Sequence, residues 1–264
     1  MGNLEGILLG ILQGITEFLP VSSSAHLVIA QDLLNVKQFG ILFEVMVHFG
    51  TLLSVLWIFG SDIVRIATRF TREKQERHFA FMLLLGIIPT GLIGFLFRDL
   101  FISFYESTLK TGFMLLITGC ILYFIPYLKP GVKNEQTISA TDALIVSVAQ
   151  GLAIIPGLSR SGFTITAALW CGMDRETAVR FSFLVTIPVI LGATLLELSE
   201  LRAVGFSGIS SGIIYGTIAA FITGIFAIKL LVKLLRAGRF NFFAYYCWFV
   251  GTATIIFKLT GFWE

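Results

Sequence analysis

Residues 13–26 read QGITEFLPVSSSAH and form a polar, proline-containing break between two short apolar stretches, roughly 4–18 and 24–34. Proline lacks the N–H that a helix interior needs, so Pro20 ends the first helix. Serine is favoured as a helix N-cap, so the serines after the proline start the next helix. A membrane-spanning helix takes about 20 apolar residues, and neither stretch is that long. The segment therefore predicts a re-entrant helical hairpin, which enters the bilayer and returns to the same side.

The polar side chains of this first break are spaced to converge. Gln13 and Glu17 are four residues apart, which places them on one helix face. His26 follows Ser23 by three residues and shares a face with it if the second helix starts there. Ionisable groups inside a membrane usually serve a function. Glu17, Ser23 and His26 are therefore candidate catalytic residues.

A second break repeats the pattern about 136 residues later, where residues 150–164 read QGLAIIPGLSRSGFT. Gly157 permits a tight turn. Ser159 or Ser161 can cap the helix that follows, and Arg160 adds a fixed positive charge. Free N–H groups at a helix N-terminus bind anions. This break therefore predicts an anion site that suits a phosphate or pyrophosphate, which arginine can bind with two hydrogen bonds.

Composition places the chain in the bilayer. Of its 264 residues 56% are hydrophobic and 13% charged, too few charges to cover a soluble surface. The net charge of +3 and the lack of a long basic run argue against a nucleic-acid partner. Two apolar stretches around the second break are again too short to span, roughly 142–155 and 162–171. Six others are long enough: roughly 40–60, 79–97, 109–128, 181–199, 210–231 and 242–260.

The predicted fold class is an all-α integral membrane protein with an inverted-topology repeat, six full transmembrane helices and two re-entrant hairpins. Residues 1–264 form a single membrane domain, with one repeat in 1–130 and the other in 138–264. Each hairpin precedes three spans, and an odd number of spans turns the second half upside down. Basic residues concentrate in 61–78 and 229–241, which places these loops in the cytoplasm and both termini outside.

Each candidate also has a structural interpretation. Any one serine can be a helix cap and nothing more. Glu17 can be an interfacial carboxylate, His26 a buried histidine with satisfied hydrogen bonds, and Arg160 the structural partner of an acid. Glu44 and His48 are four residues apart within a predicted span. We expect them to be a supporting pair that lines the site rather than catalytic residues.

The two motifs resemble the signatures of the undecaprenyl-pyrophosphate phosphatase family of bacterial envelope enzymes, also called the bacitracin-resistance BacA type. Its first signature is Glu or Gln, three residues, Glu and then a Pro/Ser/Ser/His segment, and its second is PGxSRSxxT. Here Gln13 stands where many members have Glu, which removes a second carboxylate, and Ala25 stands where Gly is common. The resemblance covers essentially the whole chain. The matching residues are Gln13, Glu17, Pro20, Ser22, Ser23 and His26, and then Pro156, Gly157, Ser159, Arg160, Ser161 and Thr164.

The resemblance implies an enzyme that removes the terminal phosphate of undecaprenyl (C55 polyprenyl) pyrophosphate and so regenerates the carrier lipid for cell-wall synthesis. It implies bacitracin resistance, a multi-pass protein of the cytoplasmic membrane and a site open to the extracytoplasmic side. It also implies a divalent cation, Mg²⁺ or Ca²⁺, and a homodimer. Because secondary transporters also have inverted repeats with broken helices, a flippase of an anionic prenyl lipid is the alternative.

The resulting site hypothesis divides the residues by role. Ser23 attacks the terminal phosphorus or positions a water that does so, with Glu17 or His26 as the base. Arg160 and the N–H groups of the second break hold the phosphates. Glu17 is alternatively a ligand of the cation. The catalytic set is Glu17, Ser23, His26 and Arg160, and the substrate-binding set is Gln13, Ser22, Gly157, Ser159, Ser161 and Thr164.

Overall fold

The structure, a computed structural model, describes residues 2–33, 41–128, 131–204 and 210–261. Helices make up most of it, and a 3-10 turn at Ile125–Tyr127 extends one of them. In chain order the α-helices are α1 (Asn3–Phe18), α2 (Ser23–Leu33), α3 (Ile41–Ile58), α4 (Gly60–Arg69), α5 (Lys74–Leu96), α6 (Arg98–Tyr105), α7 (Thr108–Phe124), α8 (Ala140–Leu152), α9 (Arg160–Trp170), α10 (Arg175–Val204), α11 (Ser211–Arg236) and α12 (Asn241–Leu259).

Within the described residues, four helices are long and apolar enough to cross a membrane: α5, α7 with its 3-10 turn, α11 and α12. Helices α3 and α4 pass the same test together and are bent by 66° at the break between them. These elements confirm a helical integral membrane protein with four or five candidate spans. The predicted stretch 181–199 lies within the 30-residue α10, which contains Pro188, and the count of six spans stays a prediction. Residues 34 and 40, at the ends of two predicted stretches, lie outside the described residues.

Both breaks in the sequence are breaks in the helices. The first separates α1 from α2, the second separates α8 from α9, and the two helices of each pair contact each other. Ser23 is the first residue of α2 and Arg160 the first residue of α9. Each break holds a residue with left-handed backbone, Ser22 at φ 66° and Gly157 at φ 99°. Glycine adopts this conformation at no steric cost, whereas serine does so only when its surroundings hold it there.

The hairpins pack across the two predicted halves. Helix α1 packs along α11, and α8 packs along α5. Helix α7 packs against α12, and α3 contacts both α10 and α11. The first helix of each hairpin thus lies against a long helix of the other half, which brings the two breaks to one region of the protein.

Small residues allow α1 to lie close to α11. A Cβ atom added at Gly6 would come within 2.1 Å of the carbonyl oxygen of Gly212, and one at Gly10 within 2.1 Å of that of Gly216. Both obstacles are backbone atoms, which cannot move without separating the helices. Close approach through small residues is a usual form of helix packing in membranes. Because α1 carries Glu17 near its C-terminus, this contact also fixes the position of that carboxylate.

Gly10→Ala is therefore expected to destabilise the protein. Overpacking of this kind costs about 1–3 kcal/mol, more than the gain of about 1 kcal/mol in helix propensity. The measurement is the free energy of unfolding, or the melting temperature, of the purified protein in detergent. Gly91→Ala in α5 is the matched control, since nothing lies within 4 Å of its added Cβ atom. Equal melting temperatures for the two variants would contradict the assigned helix contact.

Candidate active site

The carboxylate of Glu17 joins the polar groups of both breaks. Its Oε2 accepts hydrogen bonds from the Ser23 hydroxyl at 2.6 Å and from Gln13 Nε2 at 2.9 Å. Its Oε1 accepts a hydrogen bond from Nη2 of Arg160, 143 residues away in the chain. Glu17 is only 6% exposed. A carboxylate, a hydroxyl and a guanidinium thus share one buried position, as a nucleophile, its base and an anion-binding group would.

A direct hydrogen bond also links the two breaks, from a backbone N–H of the second to a side chain of the first. The N–H of Gly157 donates to the hydroxyl oxygen of Ser22 at 3.0 Å. The same oxygen lies 3.2 Å from the hydroxyl of Ser24 and accepts a weaker bond from the N–H of Ala25 at 3.4 Å. The two residues with left-handed backbone are therefore partners, and Ser22 acts as a connector between the halves.

Side chains of α7 and α9 hold the second break in shape. Ser159 caps α9 by accepting from the N–H of Gly162 at 3.1 Å, as expected for a helix start. The hydroxyl of Thr118 donates to the carbonyl of Gly157 at 2.7 Å and accepts from the N–H of Ser159 at 3.1 Å. The turn before Arg160 is thus fixed by backbone contacts to a buried threonine.

Two further residues of the second motif support α9. The hydroxyl of Thr164 donates to the carbonyl of Arg160 at 2.8 Å and lies 2.5 Å from the hydroxyl of Ser182 on α10. The hydroxyl of Ser161 lies 3.3 Å from that of Ser159. These contacts orient the first turn of α9, which carries the side chain of Arg160.

A cavity of about 400 Å³ opens over this cluster. Of the ten residues proposed from the sequence, those lining it are Glu17, Ser22, Ser23, Ser159 and Arg160, and those that do not are Gln13, His26, Gly157, Ser161 and Thr164. The remaining lining residues include polar side chains, Thr16, Ser24, Glu44, His48, Thr90, Gln150 and Thr194, and apolar or aromatic ones, Leu27, Val28, Tyr105, Ala153, Ile154, Leu158, Val189 and Ile190. The cavity is thus lined by both polar and apolar side chains.

His26 has other partners than those expected. Its Nδ1 lies 2.8 Å from the carbonyl oxygen of Ser22, and its Nε2 lies 2.7 Å from the hydroxyl of Tyr246 on α12. A carbonyl oxygen only accepts, so Nδ1 carries a proton, and in the neutral imidazole Nε2 then accepts from the hydroxyl of Tyr246. Both ring nitrogens are occupied, and neither is bonded to Ser23. In this arrangement Glu17, rather than His26, holds the position of a base for Ser23.

The pair on α3 lines the cavity, which agrees with its expected supporting role. Nδ1 of His48 donates to the backbone carbonyl of Glu44 at 2.8 Å, which directs Nε2 of the ring into the site. That Nε2 lies 3.9 Å from Oε2 of Glu17, the oxygen bonded to Ser23. The i, i+4 spacing within a span was the sequence signal that found this pair.

Gln150 is a lining residue that sequence reasoning used only to align the repeats. Its Nε2 donates to the hydroxyl of Thr90 on α5 at 3.2 Å, and its Oε1 accepts from that of Thr186 on α10 at 2.8 Å. The sequence could have indicated Gln150, because Gln150-Gly151 repeats Gln13-Gly14. It could not have indicated Thr90 and Thr186, because each stands in an apolar span with no motif around it. Gln150 thus ties α8 to two long helices at the cavity wall.

The described residues do not form a metal cage. They contain no group of three or more His, Cys, Asp or Glu side chains placed to hold an ion. The carboxylate of Glu17 is already bonded to Arg160, Ser23 and Gln13. Mg²⁺ and Ca²⁺ take six or more oxygen ligands, so these side chains alone do not fit either ion.

The two helix breaks of this helical membrane protein thus bring together a buried carboxylate, a hydroxyl and a guanidinium. The chain matches the family described as Bacitracin resistance protein BacA over residues 6–253, and it belongs to that family.

Three curated relatives illustrate the match, each named undecaprenyl-diphosphatase. The protein of Halothermothrix orenii is 50% identical over 251 residues, covering 95% of this chain and 96% of the relative. That of Alkaliphilus metalliredigens is 42% identical over 274 residues, covering 98% and 100%. That of Methanosphaera stadtmanae is 37% identical over 273 residues, covering 97% and 98%. The similarity therefore includes both breaks and the helices between them.

Proposed function

We propose that the protein hydrolyses undecaprenyl pyrophosphate to undecaprenyl phosphate and inorganic phosphate. This reaction recycles the carrier lipid for cell-wall synthesis and confers bacitracin resistance. The observation that carries the proposal is the 2.6 Å hydrogen bond from Ser23 to Glu17, with Arg160 of the other break on the same carboxylate. Membership in the BacA family and the names of the relatives support the same activity.

The reaction proceeds by attack on the terminal phosphorus. The Ser23 oxygen forms a bond to phosphorus while its proton passes to Oε2 of Glu17, and the bond to the bridging oxygen breaks. Protonated Glu17 gives this proton to the departing oxygen of undecaprenyl phosphate and becomes a carboxylate again. A water molecule then attacks the phosphoserine while Glu17 takes its proton, and Glu17 returns that proton to the Ser23 oxygen as inorganic phosphate leaves. In the alternative version Ser23 and Glu17 orient a water that attacks directly. Both versions need a base beside a weak nucleophile.

Arg160 has two roles in this proposal. In the structure it neutralises Glu17. When a pyrophosphate enters, its oxygens compete for the guanidinium and draw it from the carboxylate, which leaves Glu17 a stronger acceptor for the Ser23 proton. The guanidinium then stabilises the charge that develops on the phosphoryl oxygens. Substrate binding would in this way make Glu17 a more effective base.

A divalent cation, Mg²⁺ or Ca²⁺, is proposed to arrive with the substrate. Phosphate oxygens and water are the natural ligands of such ions, with Glu17 as the protein ligand within reach. Because the described side chains do not form a cage, most ligands of such an ion would come from the substrate and water. The ion would supply charge neutralisation on the phosphates when it is bound.

The finer architecture is proposed as six spans and two re-entrant hairpins in inverted repeats, 1–130 and 138–264. The reciprocal packing of α1 on α11 and of α8 on α5 supports this arrangement. We further propose the cytoplasmic membrane as the location, with both termini and the cavity on the extracytoplasmic side. The basic loops 61–78 and 229–241 support this orientation. A homodimer in the bilayer, without a nucleic-acid partner, completes the proposal.

Phosphate release from undecaprenyl pyrophosphate by the purified protein tests this function. We expect turnover in the ordinary enzymatic range, about 1–10³ per second. A protein that releases no phosphate with or without added Mg²⁺ or Ca²⁺ would overturn the proposal. Movement of a non-hydrolysable lipid phosphonate across liposomes by that same inactive protein would instead favour a flippase.

A further inference from the structure

The contact between His26 and Tyr246 joins the first break to the last helix of the chain. The two residues are 220 positions apart, and the hydroxyl of Tyr246 donates to Nε2 of His26 at 2.7 Å. Their rings are almost parallel, with an interplanar angle of 6° and centroids 5.6 Å apart. The proposed reaction uses neither nitrogen of this imidazole, so its contact with Tyr246 needs a different explanation.

The other nitrogen of His26 acts on the backbone of the break. Nδ1–H donates to the carbonyl oxygen of Ser22 at 2.8 Å, and the N–H of His26 donates to the same oxygen at 3.3 Å. Ser22 is the non-glycine residue with a left-handed backbone among the described residues, at φ 66°. A conformation of this kind is strained for a residue with a Cβ atom and persists only when neighbours hold it. His26 supplies two of the hydrogen bonds that do so.

The conformation of Ser22 sets the geometry on both sides of it. Its hydroxyl accepts from the N–H of Gly157, which connects the breaks. The next residue is Ser23, the first residue of α2, whose hydroxyl bonds to Glu17. A change in the backbone of Ser22 would move the nucleophile and the second break together.

Helix α12 contacts the first break at a second, adjacent point. The thiol of Cys247 lies 3.7 Å from the carbonyl oxygen of Pro20, within the range of a weak sulfur hydrogen bond. Cys247 is buried, whereas Tyr246 is 42% exposed and reaches His26 through its hydroxyl. Two consecutive residues of α12 thus bind groups of the break, so the contact of Tyr246 belongs to an ordered interface.

We propose that Tyr246 is a positioning residue which, through His26, holds Ser22 in its left-handed conformation and so aims Ser23 at the phosphate. This inference rests on the proposed function, because its effect is on the hydrolysis. Tyr246 fixes the tautomer and rotation of the imidazole, and the imidazole fixes the carbonyl of Ser22. Tyr246 touches neither the cavity nor the reacting atoms.

Tyr246→Phe tests the proposal with minimal change, since the ring remains and only the hydroxyl is lost. One neutral hydrogen bond contributes about 0.5–1.5 kcal/mol, so kcat is expected to fall about three- to tenfold. KM is expected to stay within about twofold, because uniform substrate binding is untouched. Tyr245→Phe is the matched control, since Tyr245 is the neighbouring residue and packs on Tyr123 and Trp248 instead. Unchanged kcat in Tyr246→Phe, or an equal loss in the control, would overturn the proposal.

A double-mutant cycle separates an action through His26 from a general loss of structure. Asparagine in His26→Asn can keep a donor toward the Ser22 carbonyl but is too short to reach Tyr246. In that background Tyr246→Phe is expected to have no further effect on kcat, since the pair is already broken. The same fold loss in both backgrounds would show that Tyr246 acts independently and would refute the inference.

Failure of the function itself is recognised separately. If the wild-type protein releases no phosphate from undecaprenyl pyrophosphate, the proposed reaction is wrong. The double-mutant cycle of Tyr246→Phe and His26→Asn is then repeated with the melting temperature of each purified variant in detergent as the readout. Coupled losses for Tyr246→Phe and His26→Asn would retain the assigned bond as a structural one, and additive losses would reject it.

Discussion

Arg160→Ala is expected to lower kcat/KM for undecaprenyl pyrophosphate by about 10³- to 10⁵-fold, the range measured for arginines that stabilise phosphoryl transfer. The variant loses the fixed charge at the start of α9, and with it the guanidinium that the substrate phosphates are proposed to draw away from Glu17. Phosphate release at several substrate concentrations measures the loss. Because the change also leaves the buried Glu17 without its cation, elution as a single species in gel filtration should accompany each measurement.

Arg160→Lys is the informative companion. It keeps the positive charge but replaces the planar guanidinium by an ammonium that cannot bind a phosphate with two parallel hydrogen bonds. We expect it to remain folded and to recover only part of the activity. Activity within about tenfold of wild type in Arg160→Ala would refute the anion-binding role, since one hydrogen bond to a charged group already contributes about 1.5–3 kcal/mol.

Ser23→Ala is expected to cause a loss of about 10⁴-fold or more in kcat, as removal of a nucleophile does in other hydrolases. The hydroxyl is the group bonded to Glu17 Oε2 within the cavity, so its loss removes either the nucleophile or the group that orients water. Rapid-quench measurements of phosphate release give kcat. A phosphorylated serine trapped in the wild type under the same conditions distinguishes covalent attack from water attack.

Ser24→Ala provides the comparison for that experiment. Ser24 also lines the cavity, but its hydroxyl lies 3.2 Å from the hydroxyl of Ser22 in the first break. We expect it to lose less than about tenfold, the effect of one weak hydrogen bond. Full activity in Ser23→Ala would reject Ser23 as nucleophile and leave a water positioned by Glu17 as the remaining version.

Local patterns in the sequence were sufficient to predict the helix breaks. Pro20 and the serines after it predicted an end and a new start, and α1 and α2 meet there. Apolar length likewise predicted α5, α7, α11 and α12. The short helices α4 and α6 were not predicted, because they carry mixed charges and lie at the ends of longer apolar stretches. The 66° bend before α4 was likewise not predicted.

Spacing predicted part of the candidate site. The four-residue interval between Gln13 and Glu17 predicted a shared face, and their side chains are hydrogen bonded. The predicted anion site placed Arg160 at the same phosphates as Ser23. It did not identify Glu17 as the direct partner of the guanidinium. Pairing over 143 residues follows from how the hairpins pack, and a single sequence carries no signal for that distance.

His26 shows the limit of reasoning from spacing. The three-residue separation allowed a contact between His26 and Ser23. In the structure the imidazole is hydrogen bonded to Ser22 and Tyr246 instead. The deciding partner lies in α12, in a run of aromatic residues whose tyrosines are indistinguishable by sequence.

Ser23 and Arg160 open the second helix of their respective hairpins, the one with a hydroxyl and the other with a guanidinium. At the 136-residue offset of the proposed repeat, Ser159 corresponds to Ser23 and Ala153 corresponds to Glu17. Residues 13–26 contain no arginine, and residues 150–164 contain no carboxylate. Two identical copies of either break could therefore not form the contact between Glu17 and Arg160. Under the proposed repeat, this contact depends on the divergence of the two halves.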